Sequence, residues 1–353
     1  MSIRVDPAVH GALDFAELER LGLDPNEVLD FSVNNNPFGP TPRVWEAIRS
    51  ARLERYPDRE SIALRRALSK HLDVLPEQIL VGNGTAELIH LTTLACLRSE
   101  EHALVVEPTF GEYERCIRLS EGNLHRWRAV PEEGFLPNPK EIEEKLGKPK
   151  MRLVFLCNPN NPTGQVLPLD VLNQWSRAFP DTLFVVDEAY LAFVPEMHSA
   201  VSLRCKNILV LRSMTKDYAI AGLRLGYAVG DESVIAALTN LRPAWNVNSL
   251  ALAAGLVALQ DEAYLAKTLA ELRAETAVLV YGLKELGYAP VPSQTHYFLM
   301  PVGTGARFRQ SLLQRGILVR DCASFGLPSY VRIATRTPEE NTRLLHTLGE
   351  MTS

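Results

Sequence analysis

The sequence predicts an α/β fold in which a large domain, built on a mostly parallel sheet, precedes a small α+β domain. Short apolar, β-rich runs alternate with helical patterns between about residues 45 and 240. Nearly continuous apolar strands between amphipathic helices are typical of a parallel sheet that is covered on both faces. The length of 353 residues also suits one large and one smaller domain better than a single small one.

Apolar runs predict the strands of the large domain at 78–81, 103–107, 153–157, 183–187, 208–212 and 225–229. A segment rich in Ala, Leu and Glu then predicts one long helix over 249–286, which Gly287 is placed to end. The tail predicts strands at 297–301, 317–320 and 330–334, with helices at 307–314 and from Pro338.

These patterns divide the chain into three parts. Residues 1–45 form an N-terminal arm with part of the small domain, and the proline-rich turn at 36–42 marks this arm as irregular. Residues 46–245 form the large domain. Residues 246–353 contribute the linking helix and the small C-terminal α+β domain.

The composition excludes several classes of protein. With 46% hydrophobic residues, 22% charged residues and a formal net charge of -5, the chain is typical of a soluble globular protein. The chain has no basic cluster, so we do not expect it to bind nucleic acid. No apolar stretch reaches the roughly 20 residues of a membrane span, and the N-terminus lacks the apolar core of a signal peptide. We therefore expect a cytoplasmic protein.

The cysteines and histidines predict no metal site. The 5 cysteines contain no C-x-x-C pair, and the 8 histidines are scattered along the chain without ligand spacing. Neither a disulfide framework nor a zinc site is therefore expected.

The most informative residue is Lys216, at the end of the run Leu211-Arg212-Ser213-Met214-Thr215-Lys216, with Arg224 eight residues later. A protonated lysine is a poor nucleophile. A lysine that must form a Schiff base therefore needs cationic neighbours or partial desolvation to lower its pKa. Arg224 would supply such a neighbour.

Three other segments place polar residues directly after predicted strands. They are Val81-Gly82-Asn83-Gly84-Thr85-Ala86-Glu87, Cys157-Asn158-Pro159-Asn160-Asn161-Pro162-Thr163-Gly164 and Leu183-Phe184-Val185-Val186-Asp187-Glu188-Ala189-Tyr190. Open α/β sheets build their sites at the carboxyl ends of the strands, so we expect these segments to meet at one edge.

In this order, the four segments resemble the fold-type I pyridoxal-phosphate enzymes, the aspartate aminotransferase superfamily. The resemblance covers nearly the whole chain and implies an aspartate-aminotransferase-like fold with pyridoxal 5'-phosphate as cofactor. It implies that Lys216 forms the Schiff base and that Asp187 pairs with the pyridine nitrogen, which keeps the ring an electron sink. Tyr190 and Asn161 would bind the phenolic oxygen of the ring, although Asn161 could instead cap a turn.

The same resemblance implies how the cofactor phosphate and ring are held. Backbone N–H groups at a helix start bind phosphate well, and side chains add further donors. The implied phosphate ligands are Gly84, Thr85, Ala86, Ser213 and Arg224, joined by Tyr56 of a partner subunit. Tyr56 therefore implies a homodimer with shared active sites. Phe110 would stack on the ring, unless it only packs in the core.

Four residues are implied in binding a small amino substrate. Arg332 lies on a strand that is otherwise made for burial, and a buried arginine needs an anion. Arg320 is a second candidate, with pairing to Asp321 or another carboxylate as its alternative. Asn34 matches a position in the arm near the substrate, and His10 belongs to a His-Gly pair that resembles the opening of one subgroup.

Two subgroups resemble this chain most, the histidinol-phosphate aminotransferases and the L-threonine-O-phosphate decarboxylases of corrinoid biosynthesis. His10-Gly11 and Arg336 are similar to the decarboxylases, whereas the uninterrupted run from Val319 to Asn341 is similar to the aminotransferases. We favour an aminotransferase acting on a phosphorylated amino compound. The alternatives are the decarboxylase, an aminotransferase for aromatic or other amino acids, and a non-catalytic ligand-binding module.

Overall fold

The computed structural model describes residues 5–352. Its strands in chain order are β1 (Leu29–Asp30), β2 (Ile79–Gly82), β3 (His102–Glu107), β4 (Asn123–Arg128), β5 (Leu153–Cys157), β6 (Leu183–Asp187), β7 (Ile208–Ser213), β8 (Gly226–Val229), β9 (Tyr297–Pro301), β10 (Ile317–Leu318), β11 (Arg320–Asp321) and β12 (Tyr330–Ala334). Its α-helices are α1 (Phe15–Leu21), α2 (Pro42–Arg49), α3 (Ile62–Leu72), α4 (Gly84–Cys96), α5 (Glu112–Leu119), α6 (Pro139–Gly147), α7 (Leu169–Ala178), α8 (Glu232–Leu241), α9 (Ser249–Leu259), α10 (Glu262–Glu285), α11 (Gly305–Leu313) and α12 (Pro338–Thr352).

The large sheet has seven strands in the order β2-β8-β7-β6-β5-β3-β4. The pairs from β7 through β6, β5 and β3 to β4 are parallel, whereas β8 runs antiparallel to both β2 and β7. The predicted α/β class with a mostly parallel sheet is thereby confirmed. The six strands predicted in this region are present, with ends that differ by at most one residue.

Apolar side chains cover both faces of this sheet, which explains why its central strands read as continuous apolar runs. Alternate residues of one strand enter different cores: Val154 and Leu156 face one cluster, whereas Leu153 and Phe155 face the other. Because both faces are buried, polar side chains on these strands are confined to the strand ends.

The C-terminal region forms a smaller antiparallel sheet in the order β11-β12-β9. The N-terminal strand β1 pairs in parallel with β10, so the beginning of the chain joins this region. Phe31, after β1, packs in the same buried cluster as Leu279 and Leu283 of α10 and Ile333 of β12. The N-terminal arm therefore runs from the smaller sheet towards the large one.

Three local expectations were wrong or incomplete. The predicted helix over 249–286 is two helices, because α9 ends at Leu259 and the carboxylate of Asp261 caps the start of α10. The predicted strand over 317–320 is divided between β10 and β11. The edge strand β4 was not predicted, since its sequence NLHRWR is mostly polar and lacks the apolar run of the buried strands.

Gly255, in the middle of α9, gives a test of this packing. A Cβ atom at Gly255 would overlap Cδ2 of the buried Leu225, with Sδ of Met214 also 3.6 Å away. We expect Gly255→Ala to lower the free energy of unfolding by about 1–3 kcal/mol through overpacking.

Gly349 in α12 provides the matched control, because among the described residues a Cβ there meets Leu286 at an ordinary 3.6 Å, which is no overlap. Gly349→Ala should stabilise the protein by about 0.5–1 kcal/mol, the usual gain for alanine in a helix. Urea unfolding of both variants measures the difference, and a stabilising Gly255→Ala would contradict the close packing of α9.

Candidate active site

The carboxyl ends of the central strands bring the predicted segments to one edge of the large sheet. Asp187 ends β6 and lies beside Cys157, which ends β5. Lys216 follows β7 in the loop of residues 214–225 that joins β7 to β8, called the lysine loop below. Helix α4 begins at Gly84, directly after β2.

Asp187 is buried and held in a fixed orientation. Its Oδ2 accepts a hydrogen bond of 2.8 Å from the Tyr113 hydroxyl, and its Oδ1 accepts one of 3.0 Å from the Ala189 backbone N–H. Burial raises the pKa of Asp187 to about 6, while these hydrogen bonds and then the charge of Lys216 oppose the rise. The carboxylate is thus suited to stabilising a cationic N–H group placed against it.

Lys216 lies in a cation-rich environment. Burial is the main cause that lowers the pKa of its amine, to about 8, and the nearby charges of Arg332 and Arg224 add to the effect. Asp187 acts in the opposite direction. An amine of this kind exchanges its proton near neutral pH, as a nucleophile or general base requires.

The start of α4 brings backbone N–H groups close to the guanidinium of Arg224. Gly84 has φ +77°, and a Cβ there would lie 3.0 Å from Nη2 of Arg224. A Cβ on Gly226 would likewise lie 3.0 Å from the backbone nitrogen of Thr85. Glycine at both positions keeps room beside the N–H groups of the first helical turn, including that of Ala86, and these groups favour anions.

Three further hydrogen bonds lie beside these donors. Ser213 is buried, and its Oγ lies 2.6 Å from Oγ1 of Thr215. The carboxylate of Glu87 accepts hydrogen bonds from the Asn83 backbone N–H at 2.7 Å and from Nδ2 of Asn246 at 2.6 Å. These two bonds occupy Oε2 of Glu87, the acidic group of the first turn of α4.

Tyr190, Asn161 and Phe110 lie around the same edge. Burial raises the pKa of the Tyr190 hydroxyl, and the charge of Arg332 partly offsets the rise. Oδ1 of Asn161 accepts a hydrogen bond from Nη1 of Arg332, which leaves the Asn161 amide group oriented by the arginine. Phe110 makes an edge contact with Tyr113, with ring centroids 5.7 Å apart.

Arg332 and Arg320 are both buried, on neighbouring antiparallel strands. Their Cα atoms are directly paired in the register of β12 and β11. Arg332 donates to Asn161 and to the backbone carbonyl of Ser32, and Tyr297 lies against its guanidinium, with Cζ 5.7 Å from the ring centroid. Neither arginine has an ion pair within 4.0 Å to a carboxylate among residues 5–352.

The alternative in which Arg320 pairs with Asp321 is not seen. Arg320 instead donates to the backbone carbonyls of Val9 and His10, at 2.7 and 2.9 Å, and to Oγ of Ser324 at 2.7 Å. Burial and then the charge of Arg332 lower the pKa of Arg320 to about 10. All its partners are neutral, so its charge remains uncompensated by contact.

The other predicted substrate residues differ in their surroundings. Asn34 is buried, and its side chain approaches the Tyr190 hydroxyl, although neither its amide nitrogen nor its amide oxygen makes a hydrogen bond of ordinary geometry in the described part of the chain. His10 lies nearer the surface, with Nε2 3.0 Å from Oε1 of Glu112 and its ring 5.4 Å from that of Phe110.

Tyr56 is not brought to the sheet edge within a single chain. Its side chain is 79% exposed, and its ring stacks on Trp245 with centroids 4.5 Å apart. A role for Tyr56 in phosphate binding therefore requires a second subunit.

Sequence reasoning missed two residues of this region. Tyr113 was not predicted as a site residue, and its bond to Asp187 depends on how α5 packs on the sheet, where the Tyr113 ring stacks on Phe155 of β5. His296 is buried, and its pKa falls to about 3 through burial and the charges of Arg332 and Lys216. The backbone of Asn34 approaches this ring, but neither ring nitrogen makes a hydrogen bond of ordinary geometry in the described residues. The signal was a histidine at the head of an apolar strand.

A lysine, a buried acid and a group of N–H donors thus lie at one edge of the sheet. Comparison with known proteins identifies the class of enzyme that has this arrangement. Residues 26–348 match the model for aminotransferase class I and II, and the chain belongs to this family. It is a pyridoxal-phosphate-dependent aminotransferase.

Among its relatives, a histidinol-phosphate aminotransferase of Symbiobacterium thermophilum is 35% identical over 98% of this chain and 96% of the relative. One from Halorubrum lacusprofundi is 35% identical over 93% and 90%. A solved aspartate aminotransferase of Thermus thermophilus with maleate has a TM-score of 0.84 and 26% identity, covering 95% of this chain and 94% of that one.

The histidinol-phosphate aminotransferase of Sinorhizobium meliloti, solved with pyridoxal-5'-phosphate, gives a TM-score of 0.86 at 24% identity, over 96% of this chain and 94% of that one. At that identity the match supports the fold alone. No helix within residues 5–352 combines the length and apolar character that a bilayer crossing needs.

Removing the charge of Lys216 should stabilise the cofactor-free protein at neutral pH. The pKa of Lys216 falls from 10.5 to about 8 on folding, so below pH 8 the folded state must hold a disfavoured cation. Since the side chain is partly exposed, we expect Lys216→Met to raise the free energy of unfolding at pH 7 by on the order of 2 kcal/mol.

The gain should be constant below pH 8 and decline as pH rises towards 10.5, where the unfolded chain also loses the proton. Urea unfolding at pH 7 and pH 10.5 tests this. Lys150→Met is the control, because Lys150 is an exposed partner of Asp181 and its removal should change little. If Lys216→Met is destabilised at pH 7, the charge of Lys216 does not destabilise the folded protein, and the prediction is wrong.

Proposed function

We propose that this enzyme transfers an amino group from a small phosphorylated amino compound of the histidinol-phosphate type to a keto acid. The observation that carries the proposal is the pair Arg320 and Arg332, two buried arginines directly opposite each other on neighbouring strands. Like charges at opposed positions of a sheet repel. A dianionic phosphate would relieve both, since arginine forks match phosphate geometry.

The relatives support the same substrate class, because the curated ones cited above are histidinol-phosphate aminotransferases. The present hydrogen-bond partners of Arg320 could be replaced by a substrate phosphate. Its contacts to the carbonyls of Val9 and His10 are neutral, so a phosphate oxygen could replace them with a stronger, charge-assisted bond.

The residues at the sheet edge fit pyridoxal phosphate. The space beside Gly84 and the guanidinium of Arg224 suits a phosphate, and Thr85, Ala86 and Ser213 add donors. Phe110 offers a flat apolar surface for the ring. Asp187 would pair with the ring nitrogen, with Tyr190 and Asn161 at the phenolic oxygen. When bound, the cofactor supplies a carbonyl for amines and a ring that withdraws electrons.

In this proposal the protein's own groups handle the protons. Lys216 Nζ accepts the proton from the substrate α carbon and later returns it, which its lowered pKa favours. Asp187 stays fixed by Tyr113 and Ala189. Arg332 and the buried Asn34 orient the substrate beside Lys216, which limits the amine to one approach.

We propose a cytoplasmic homodimer in which Tyr56 completes the phosphate site of the partner. The exposed stack of Tyr56 on Trp245 supports this, because large exposed aromatic surfaces mark protein contacts.

We also propose that the chain is divided into three parts: an arm at 1–45, a cofactor-binding domain at 46–245 and a small domain with its linking helix at 246–353. The separate antiparallel sheet β11-β12-β9 supports the small domain as a unit of its own.

The substrate assignment is tested by the visible absorbance of the lysine-bound cofactor, without any keto acid present. L-histidinol phosphate should remove the absorbance stoichiometrically, with no carbon dioxide released. L-threonine O-phosphate should release no carbon dioxide. Carbon dioxide from threonine phosphate, with the absorbance restored after each turnover, would replace the proposal with a decarboxylase. Loss of absorbance with aromatic amino acids only would exclude a phosphorylated substrate.

Arg332→Ala should raise KM for histidinol phosphate by roughly 100-fold, because it removes one half of a buried anion site. Steady-state kinetics measure the change. Arg315→Ala is the control, since Arg315 is exposed and its guanidinium donates to the backbone carbonyl of Ser311, four residues earlier. Equal KM values for the two variants would exclude Arg332 from substrate binding.

A further inference from the structure

Three successive asparagines, Asn34 to Asn36, form the part of the N-terminal arm that passes the lysine loop. Asn34 and Asn35 each have side-chain atoms without a hydrogen-bond partner in the described chain. Asn36 is different. It is only 4% exposed, and both ends of its amide group, together with its backbone N–H, are bonded within the protein.

Two of the bonds from Asn36 reach the lysine itself and the next residue. The backbone N–H of Asn36 donates to the carbonyl oxygen of Lys216 at 2.9 Å. Its Nδ2 donates to the carbonyl oxygen of Asp217 at 3.1 Å. The backbone on the carboxyl side of Lys216 is therefore fixed by one residue that lies 180 positions earlier in the chain.

The remaining bonds hold Asn36 in place. Nδ2 also donates to Oγ1 of Thr268 in α10 at 2.9 Å, and Oδ1 accepts from the backbone N–H of Phe38 at 3.2 Å. An asparagine amide has two N–H donors, and both are used here. Asn36 thus connects the arm, the lysine loop and the long helix α10.

Lys216 needs such support because its surroundings do not favour it. The cations Arg332 and Arg224 lie near its amine, and Asp187 is the opposing charge. A side chain in repulsive surroundings moves away unless its backbone is held, and a displacement of about 1 Å can cost 100-fold in rate. Since Asn36 is buried, water cannot readily replace its bonds.

We propose that Asn36 is a positioning residue, which fixes the backbone of Lys216 so that its amine faces the substrate α carbon. The proposal rests on the proposed function of Lys216. Through the chain, Asn36 also sets the position of Asn34, two residues earlier, over the same site.

The test compares Asn36→Ala with Thr268→Val in the cofactor-loaded enzyme. Asn36→Ala removes the side-chain bonds to both Asp217 and Thr268, whereas Thr268→Val removes only the second. We expect kcat of Asn36→Ala to fall about ten- to hundredfold, with KM for the amino substrate changed less than about threefold. The circular dichroism of the visible cofactor band should weaken. Thr268→Val should keep kcat within about twofold of the unsubstituted enzyme, even where its melting temperature falls.

Equal losses of kcat in both variants, in proportion to their melting temperatures, would show a merely structural role and overturn the proposal. So would an unchanged kcat in Asn36→Ala. Where Asn36→Ala does not fold, Asn36→Ser takes its place. A serine hydroxyl keeps one donor, so this variant should lose less activity.

The Lys216→Ala variant distinguishes a failure of the proposed function from a failure of the role of Asn36. If it stays active, the proposed function fails, whereas an inactive Lys216→Ala beside a fully active Asn36→Ala refutes only the role of Asn36.

Discussion

The site depends on an excess of positive charge near the carboxyl edge of the large sheet, in which Arg332 and Arg320 are buried, Lys216 is half-buried and Arg224 is exposed. Lys216 has two cations nearby, Arg332 and Arg224, and one opposing acid, Asp187. Arg320 adds a fourth cation, opposite Arg332. Buried charge without a counter-ion is costly for a folded protein. Two phosphates, one on the cofactor and one on the proposed substrate, would supply the missing anions, so the charge imbalance and the proposed chemistry have one explanation.

The fold provides the rigidity that this imbalance requires. The central strands are covered on both faces, so their ends cannot shift without disturbing two cores. Asp187 is further fixed by Tyr113, and the backbone of Lys216 by Asn36. Groups held in this way stay where the reaction needs them even though their charges would drive them apart or into water.

The sequence predicted the strand ends well, because apolar runs and the polar residues after them are local features. It placed Asp187, Asn161 and the start of α4 at one edge from that pattern alone. It could not predict contacts between distant segments. The bond from Tyr113 to Asp187 depends on the packing of α5, and Arg320 bonds to carbonyls about 310 positions earlier. The polar edge strand β4 and the helix break at Asp261 were missed because their local signals are weak.

The most direct measurement is to reduce the cofactor-loaded enzyme with borohydride and map the labelled lysine by peptide mass spectrometry. Reduction makes the bond between a lysine amine and the cofactor permanent, so it reports the attachment site without any substrate. We expect the label on Lys216, in the peptide between Arg212 and Arg224. A label on any other lysine, or none on a protein that retains its visible absorbance, would exclude Lys216 as the residue that binds the cofactor.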